Sequence, residues 1–190
     1  MQVLRILPLL VLCCAVCGAS AVVADAPGHL VPVRVGLGVS SGLDSGASPS
    51  PGLALQVAVT APVSRSFSAD FAFDRQENGL KYDSAEAAFK SSSFTGLLAY
   101  HVGGRVVTGY ARGGFGIAYV RRQLRQPGPH SAFAILDNRS GLALSGQWTT
   151  GVDFALGGSL RGFLDGGIHH VWGGLEHTSG ALVFGVSMAR

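Results

Sequence analysis

Eight stretches of this chain alternate apolar residues with small or polar ones at a period of two. After position 24, no apolar run approaches the roughly 18–20 residues that a membrane-spanning helix needs. A period of two belongs to strands with two different faces. Val31, Val33, Val35, Leu37 and Val39 alternate with Pro32, Arg34, Gly36, Gly38 and Ser40. Leu53, Leu55, Val57 and Val59 form the second run, and Phe67, Ala69, Phe71 and Phe73 the third. The fourth carries Phe94, Leu98, Tyr100 and Val102, with Phe89 out of phase upstream, so a β-bulge near Ser91 to Ser93 is expected. Val107 to Tyr119, Leu142 to Leu156, Leu160 to Trp172 and Leu182 to Met188 complete the set.

The number of runs is even, and their connections alternate in length. Those at 61–66, Gly103-Gly104 and Gly157-Gly158 are tight. Those at 43–51, 76–85, 122–138 and 173–180 are longer and polar. Short turns on one side and long loops on the other are the pattern of an outer-membrane barrel. The composition agrees. Charged residues make up only 13% of the chain, against 47% hydrophobic, with 28 glycines. The non-apolar face of the runs is Gly, Ala, Ser and Thr with a few charges, and almost no Lys or Glu. A strand face in water carries many of both, so this face suits a crowded interior and the apolar face suits lipid. Closure is then required, because strands in lipid pair every backbone group only in a closed ring. The fold expected is all-β: an eight-stranded antiparallel up-and-down transmembrane β-barrel over residues 25–190. A soluble secreted sandwich is the alternative.

Residues 1–24 read as a signal peptide. Arg5 begins it, a short apolar run from Ile6 to Val16 follows, and small residues lead to cleavage after Ala24 or, alternatively, Ala21. Cys13, Cys14 and Cys17 all lie in this segment, so the mature chain has no disulfide, thiol or cysteine metal site. Lipidation at Cys17 is disfavoured by Val16, which stands where a small residue is wanted. The net charge of +3 has no basic run of nucleic-acid type, so nucleic acid is not an expected partner.

The ending, Leu182-Val183-Phe184-Gly185-Val186-Ser187-Met188-Ala189-Arg190, carries outward apolar residues at alternate positions. With the eight runs, it resembles the small outer-membrane barrels of the OmpA and OmpX type. The family usually closes on Phe where this chain has Arg190, and Met188 stands where an aromatic is common. The resemblance implies a monomer in a Gram-negative cell envelope, inserted by the barrel-assembly machinery among outer-membrane lipid and lipopolysaccharide. No cofactor is expected, and with no appended periplasmic domain in the sequence, peptidoglycan anchoring of the full-length OmpA kind is not expected either.

Alternation places Arg34, Arg112 and Arg161 inside with Asp70, Asp74, Asp153 and Asp165, beside Gln56, Gln147, Tyr110 and His169. Buried ions are costly unless paired. A salt-bridged plug is therefore expected, with a small gated pore as the alternative; a barrel of eight strands is only about wide enough for side chains. Tyr100, Tyr119, Trp148 and Trp172 are candidate interfacial aromatics. Arg121, Arg122 and Arg125, with His130 near Gln126-Pro127-Gly128-Pro129, make the third surface loop basic; a solvated loop at a charged membrane surface is expected, with contact to lipopolysaccharide phosphates or a host surface as the alternative.

Barrel-embedded lipid A deacylases resemble this fold and use His, Ser and an acid. Glu176, His177 and Ser179 supply those residue types, but His177-Thr178-Ser179-Gly180 only faintly echoes the deacylase His-x-Ser-Asn arrangement. A lipid A-modifying hydrolase is accordingly the enzymatic alternative to a structural or surface-interaction role. His169 and His170 are adjacent on a strand and point to opposite faces, which disfavours a metal site. Gly113-Gly114-Phe115-Gly116 is followed by no helix and is not expected to bind phosphate.

Overall fold

A computed structural model describes residues 32–44, 46–83, 85–127 and 133–188. The signal peptide expected at 1–24, His130 and Arg190 lie outside them. Nine strands form one antiparallel sheet: β1 (Val33–Gly42), β2 (Ser48–Ser50), β3 (Gly52–Pro62), β4 (Phe67–Lys81), β5 (Glu86–Gly103), β6 (Val107–Pro127), β7 (Phe133–Gly157), β8 (Leu160–Val171) and β9 (His177–Met188). The order β4-β3-β1-β9-β8-β7-β6-β5 closes through a β4–β5 pairing into a ring of eight. β2 pairs with the far end of β4, continuing the line of β3 beyond the break at Pro51.

Alternation dictates which way each side chain points. Val33, Val35, Leu37 and Val39 on β1, Phe115, Ile117 and Tyr119 on β6, and Leu182, Phe184 and Val186 on β9 are all exposed on the outside. The residues between them line a filled interior.

The turns at one end are short. The β7–β8 turn is made by Gly157 (φ 131°) and Gly158 (φ 56°), a left-handed backbone that glycine adopts without steric cost. β1 and β9 meet along the seam from Val33↔Met188 to Gly42↔Ser179. At Gly185 a Cβ would lie 2.6 Å from Gly36 Cα and 2.8 Å from Phe163 Cζ, so the close approach there requires glycine.

Two expectations are corrected. No bulge occurs at Ser91 to Ser93: β5 pairs one for one with β4 from Phe67↔Tyr100 to Lys81↔Glu86, and with β6 over the same stretch. Phe89 and Phe94 lie on opposite faces of a regular strand, with Phe89 buried inside and Phe94 exposed outside. The segments 76–85 and 122–138 are also largely strand. β4 and β5 are separated by only 82–85, and β6 runs to Pro127 before β7 begins at Phe133. Arg121, Arg122 and Arg125 therefore stand on β6, not in an irregular loop. Beyond the lipid band the outer face is no longer apolar, so alternation fades in the sequence while backbone pairing continues.

Candidate functional site in the lumen and at the outer mouth

Inward positions of five strands bring the interior charges together. Arg112, from β6, is wholly buried and donates to Asp70 (3.4 Å), Gln56 Oε1 (2.9 Å) and Asp165. Arg34, from β1, pairs with Asp153 (3.3 Å) and Asp165 (3.5 Å) and donates to Tyr110. Its guanidinium also lies over two rings, 4.7 Å from the Tyr110 centroid and 4.3 Å from that of Phe163. Asp74 accepts from Gln56 Nε2 at 2.9 Å. Asp70 continues the chain through Ser68 (3.2 Å) to His101 (2.8 Å). Arg161 stands apart near the short-turn end, donating to the Arg105 carbonyl (3.1 Å) and Thr108 Oγ1 (3.2 Å).

Two guanidinium groups thus face four buried carboxylates. Each cation bridges more than one acid, the arrangement that offsets the desolvation of ions in a dry interior. Beside them lies a cavity of about 20 Å³, room for one water, lined by Gln56, Asp74, Gln147, Thr149, Asp165 and His169.

Toward the long-loop end the interior turns apolar. Leu80, Ala87, Phe89, Ala118, Val120, Val171 and Leu175 form one buried cluster across the mouth. His177 stacks on Phe89 with ring centroids 3.9 Å apart. Above this floor opens a cleft of about 500 Å³, lined by Leu43, Asp44, Tyr82, Phe89, Arg122, Leu124 and Glu176 among others. Tyr82 donates to Asp44 (3.1 Å), and burial together with that bond raises its pKa above the ordinary tyrosine value. On the β6–β7 ribbon, Asp137 accepts from Arg122 (3.0 Å) and pairs with Arg139 (2.9 Å). The Arg122 bond, aided by Arg139, holds its pKa below the usual carboxylate range.

The structure does not assemble the candidate hydrolytic group. Ser179 donates its hydroxyl to Gln76 Oε1 at 2.7 Å inside the barrel, His177 is stacked on Phe89, and Glu176 is exposed at the mouth, 3.9 Å from His170. His169 lies inside, while His170 lies edge-on to Trp172. Among the described residues, no group of three or more His, Cys, Asp or Glu is placed to hold a metal ion.

The candidate aromatics occupy the outer surface at different heights. Tyr100 lies against Phe67 near the short-turn end (5.1 Å), and Trp172 lies near Phe115 toward the other (6.1 Å). Tyr119 and Trp148 are both at least half exposed. Phe163, Ser68 and His101 join the interior network without any motif to announce them; their inward parity is the only sequence signal.

A closed ring of eight antiparallel strands, apolar outside and polar within, is a transmembrane β-barrel. Its fold is that of the small outer-membrane barrels of the OmpA and OmpX type. The chain is similar to Neisserial surface protein A, with a TM-score of 0.61 and 15% identity over 84% of this chain and 97% of that one. It is similar also to Ail, the attachment invasion locus protein of Yersinia pestis, with a TM-score of 0.55 and 14% identity over 86% of this chain and all of that one. These are likenesses of fold. No protein-family model matches the sequence, and no curated protein does.

Proposed function

We propose that this chain is a non-enzymatic outer-membrane protein, exported by a signal peptide cleaved after Ala24. On this reading it is inserted as a monomer by the barrel-assembly machinery, amid lipid and lipopolysaccharide. The Arg/Asp network plugs the lumen, and the protein acts through the surface it raises beyond the membrane. One observation carries this reading: the interior is filled at two levels. Arg34 and Arg112 are tied to carboxylates at mid-height, and the Phe89 cluster covers the mouth. Such an interior supports a scaffold better than a pore. The long β6–β7 ribbon and the cleft at its base then offer the surface for contact with a ligand. The names of the two similar barrels, a surface protein and an attachment protein, lend support to a surface role.

Two measurements test the reading together. In a purified outer-membrane fraction, the unheated protein migrates faster than the boiled one, and the same protein in planar bilayers is electrically silent. A soluble protein with one band regardless of heating would replace the barrel with a secreted sandwich. Steady conductance that changes with Arg112→Ala or Asp153→Ala would replace the plug with a gated pore.

A further inference from the structure

The outward face of the barrel changes character abruptly on three neighbouring strands. β4 presents Phe67, Phe71 and Phe73 outward, and the next outward residue is Arg75. β5 presents Leu98 and Phe94, then Ser92 and Lys90. β6 presents Phe115, Ile117 and Tyr119, then Arg121. The register sets these cations side by side. Glu77 pairs with Lys90 and Lys90 with Arg121, while Arg75 pairs with Ser92 one outward step below. Paired strands lie about 4.8 Å apart, so the three cations fall within reach of one or two phosphate groups.

The side chains stand at the boundary, not under it. Those of Arg75 and Lys90 are 55% and 53% exposed. The carboxylate among them, Glu77, is shared by both, at 3.2 Å and 3.1 Å. It spaces and orients two cations and leaves a net positive patch. Asn138 of β7 accepts from Arg121 Nε at 3.2 Å and steadies the third. The opposite arc differs: past Ile168, Gly180 and Ser41, which share one level, β8 presents His170, 3.9 Å from the exposed Glu176, and no Lys or Arg. The cationic charge is therefore one-sided, and it lies at the edge of the exposed apolar band.

We propose that Arg75, Lys90 and Arg121 form a binding face for the phosphate groups of a phosphorylated glycolipid head group of the lipid A kind in the outer leaflet. The outer-leaflet assignment rests on the outer-membrane reading above. The aromatic residues just below, Phe73, Phe94 and Tyr119, would contact the acyl chains of the same lipid. Guanidinium and ammonium groups bind phosphate by charge-assisted hydrogen bonds.

The test uses the full barrel in nanodiscs and three lipids: bisphosphorylated lipid A, its dephosphorylated form, and phosphatidylglycerol. Inorganic phosphate serves as a free-anion control. Retention of lipid A is compared between the parent, Arg75→Gln/Lys90→Gln/Arg121→Gln, and a control that changes Arg65 and Arg105, both in turns at the short-turn end, to Gln. The expected result is preferential retention of bisphosphorylated lipid A by the parent and the control. In the triple variant that affinity falls by about a hundredfold, with basic residues at an anionic membrane surface each contributing roughly fivefold. Equal retention in the triple variant, equal retention of the dephosphorylated lipid, or an equal loss in the control would each overturn the proposal. Binding of inorganic phosphate or phosphatidylglycerol as tight as that of lipid A would overturn the assignment to this lipid. Heat-dependent migration of the triple variant keeps the two readings apart: if it persists while binding is unchanged, the phosphate face is refuted and the barrel stands.

Discussion

Arg112→Met is the sharpest perturbation of the interior. The side chain is wholly buried and serves Asp70, Gln56 and Asp165 at once. Methionine fills similar volume but leaves four buried carboxylates facing Arg34. Removing one partner of a buried pair costs about 3–5 kcal/mol. At about 1.4 kcal/mol per tenfold, the unfolding equilibrium constant rises by roughly two to nearly four orders of magnitude. The assay is reversible urea unfolding of the barrel in lipid bilayers, followed by tryptophan fluorescence and by loss of the fast-migrating band. Asp165→Asn and the double variant complete the cycle. Contact between the two residues predicts a coupling of about 0.5–3 kcal/mol, with the double variant less destabilised than the sum of the singles. An Arg112→Met barrel within about 0.5 kcal/mol of the parent, or strict additivity in the cycle, would refute the account of the network.

Four further outcomes follow from the same contacts. Phe89→Ala removes the floor of the cleft and the partner of His177, and should lower stability by about 3–5 kcal/mol in the same urea titration; a negligible change would mean that the mouth is not packed. Gly185→Val should prevent formation of the fast-migrating band because of the clash with Gly36 across the seam and with Phe163 of β8, whereas Gly96→Ala, whose added carbon meets nothing within 4 Å, should migrate like the parent. Ser179→Ala should cost about 1–3 kcal/mol through the stranded Gln76 and leave lipid A acylation unchanged; altered acylation would revive the hydrolase. Asp137 has a lowered pKa in the folded state, so its contribution is present above the unfolded value near 3.9 and is lost as pH falls through the folded one. Hydrogen-exchange protection of the β6–β7 ribbon, corrected for intrinsic rates, should hold from pH 7 to pH 5 and drop below about pH 4; an identical profile in Asp137→Asn would remove the carboxylate from the explanation.

The barrel was legible in the sequence wherever lipid imposes contrast between the two faces of a strand. Val33 to Val39 and Phe67 to Phe73 announce strands because hydrocarbon demands apolar side chains on every second position. That demand stops at the head groups. Past Tyr119 the outward residues are Arg121, Gln123 and Arg125, and the strand continues without its signature. Phe89 misleads for a related reason. The interior changes from polar at the level of Arg112 to apolar at the mouth, so a buried phenylalanine there mimics a shift of phase. The inward charges could be assigned to a common space by parity, but not their partners. Which Asp meets which Arg depends on the stagger of strands far apart in the chain, as when Arg34 of β1 meets Asp153 of β7. Arg161 shares the inward parity, yet its position near the turn gives it carbonyls to bind in place of carboxylates.

The seam between β1 and β9 joins the two ends of the described chain, whereas the other ring pairings link strands that follow one another, apart from the short β2 between β1 and β3. Until β9 arrives, the curled sheet has two open edges, each a row of unpaired amides and carbonyls that hydrocarbon cannot satisfy. One pairing event removes both. The sheet can therefore grow hairpin by hairpin, but its admission to the bilayer interior is decided by the last strand. A lesion at Gly36 or Gly185 should act on the whole molecule at once, producing chains that have every hairpin and no place in the membrane.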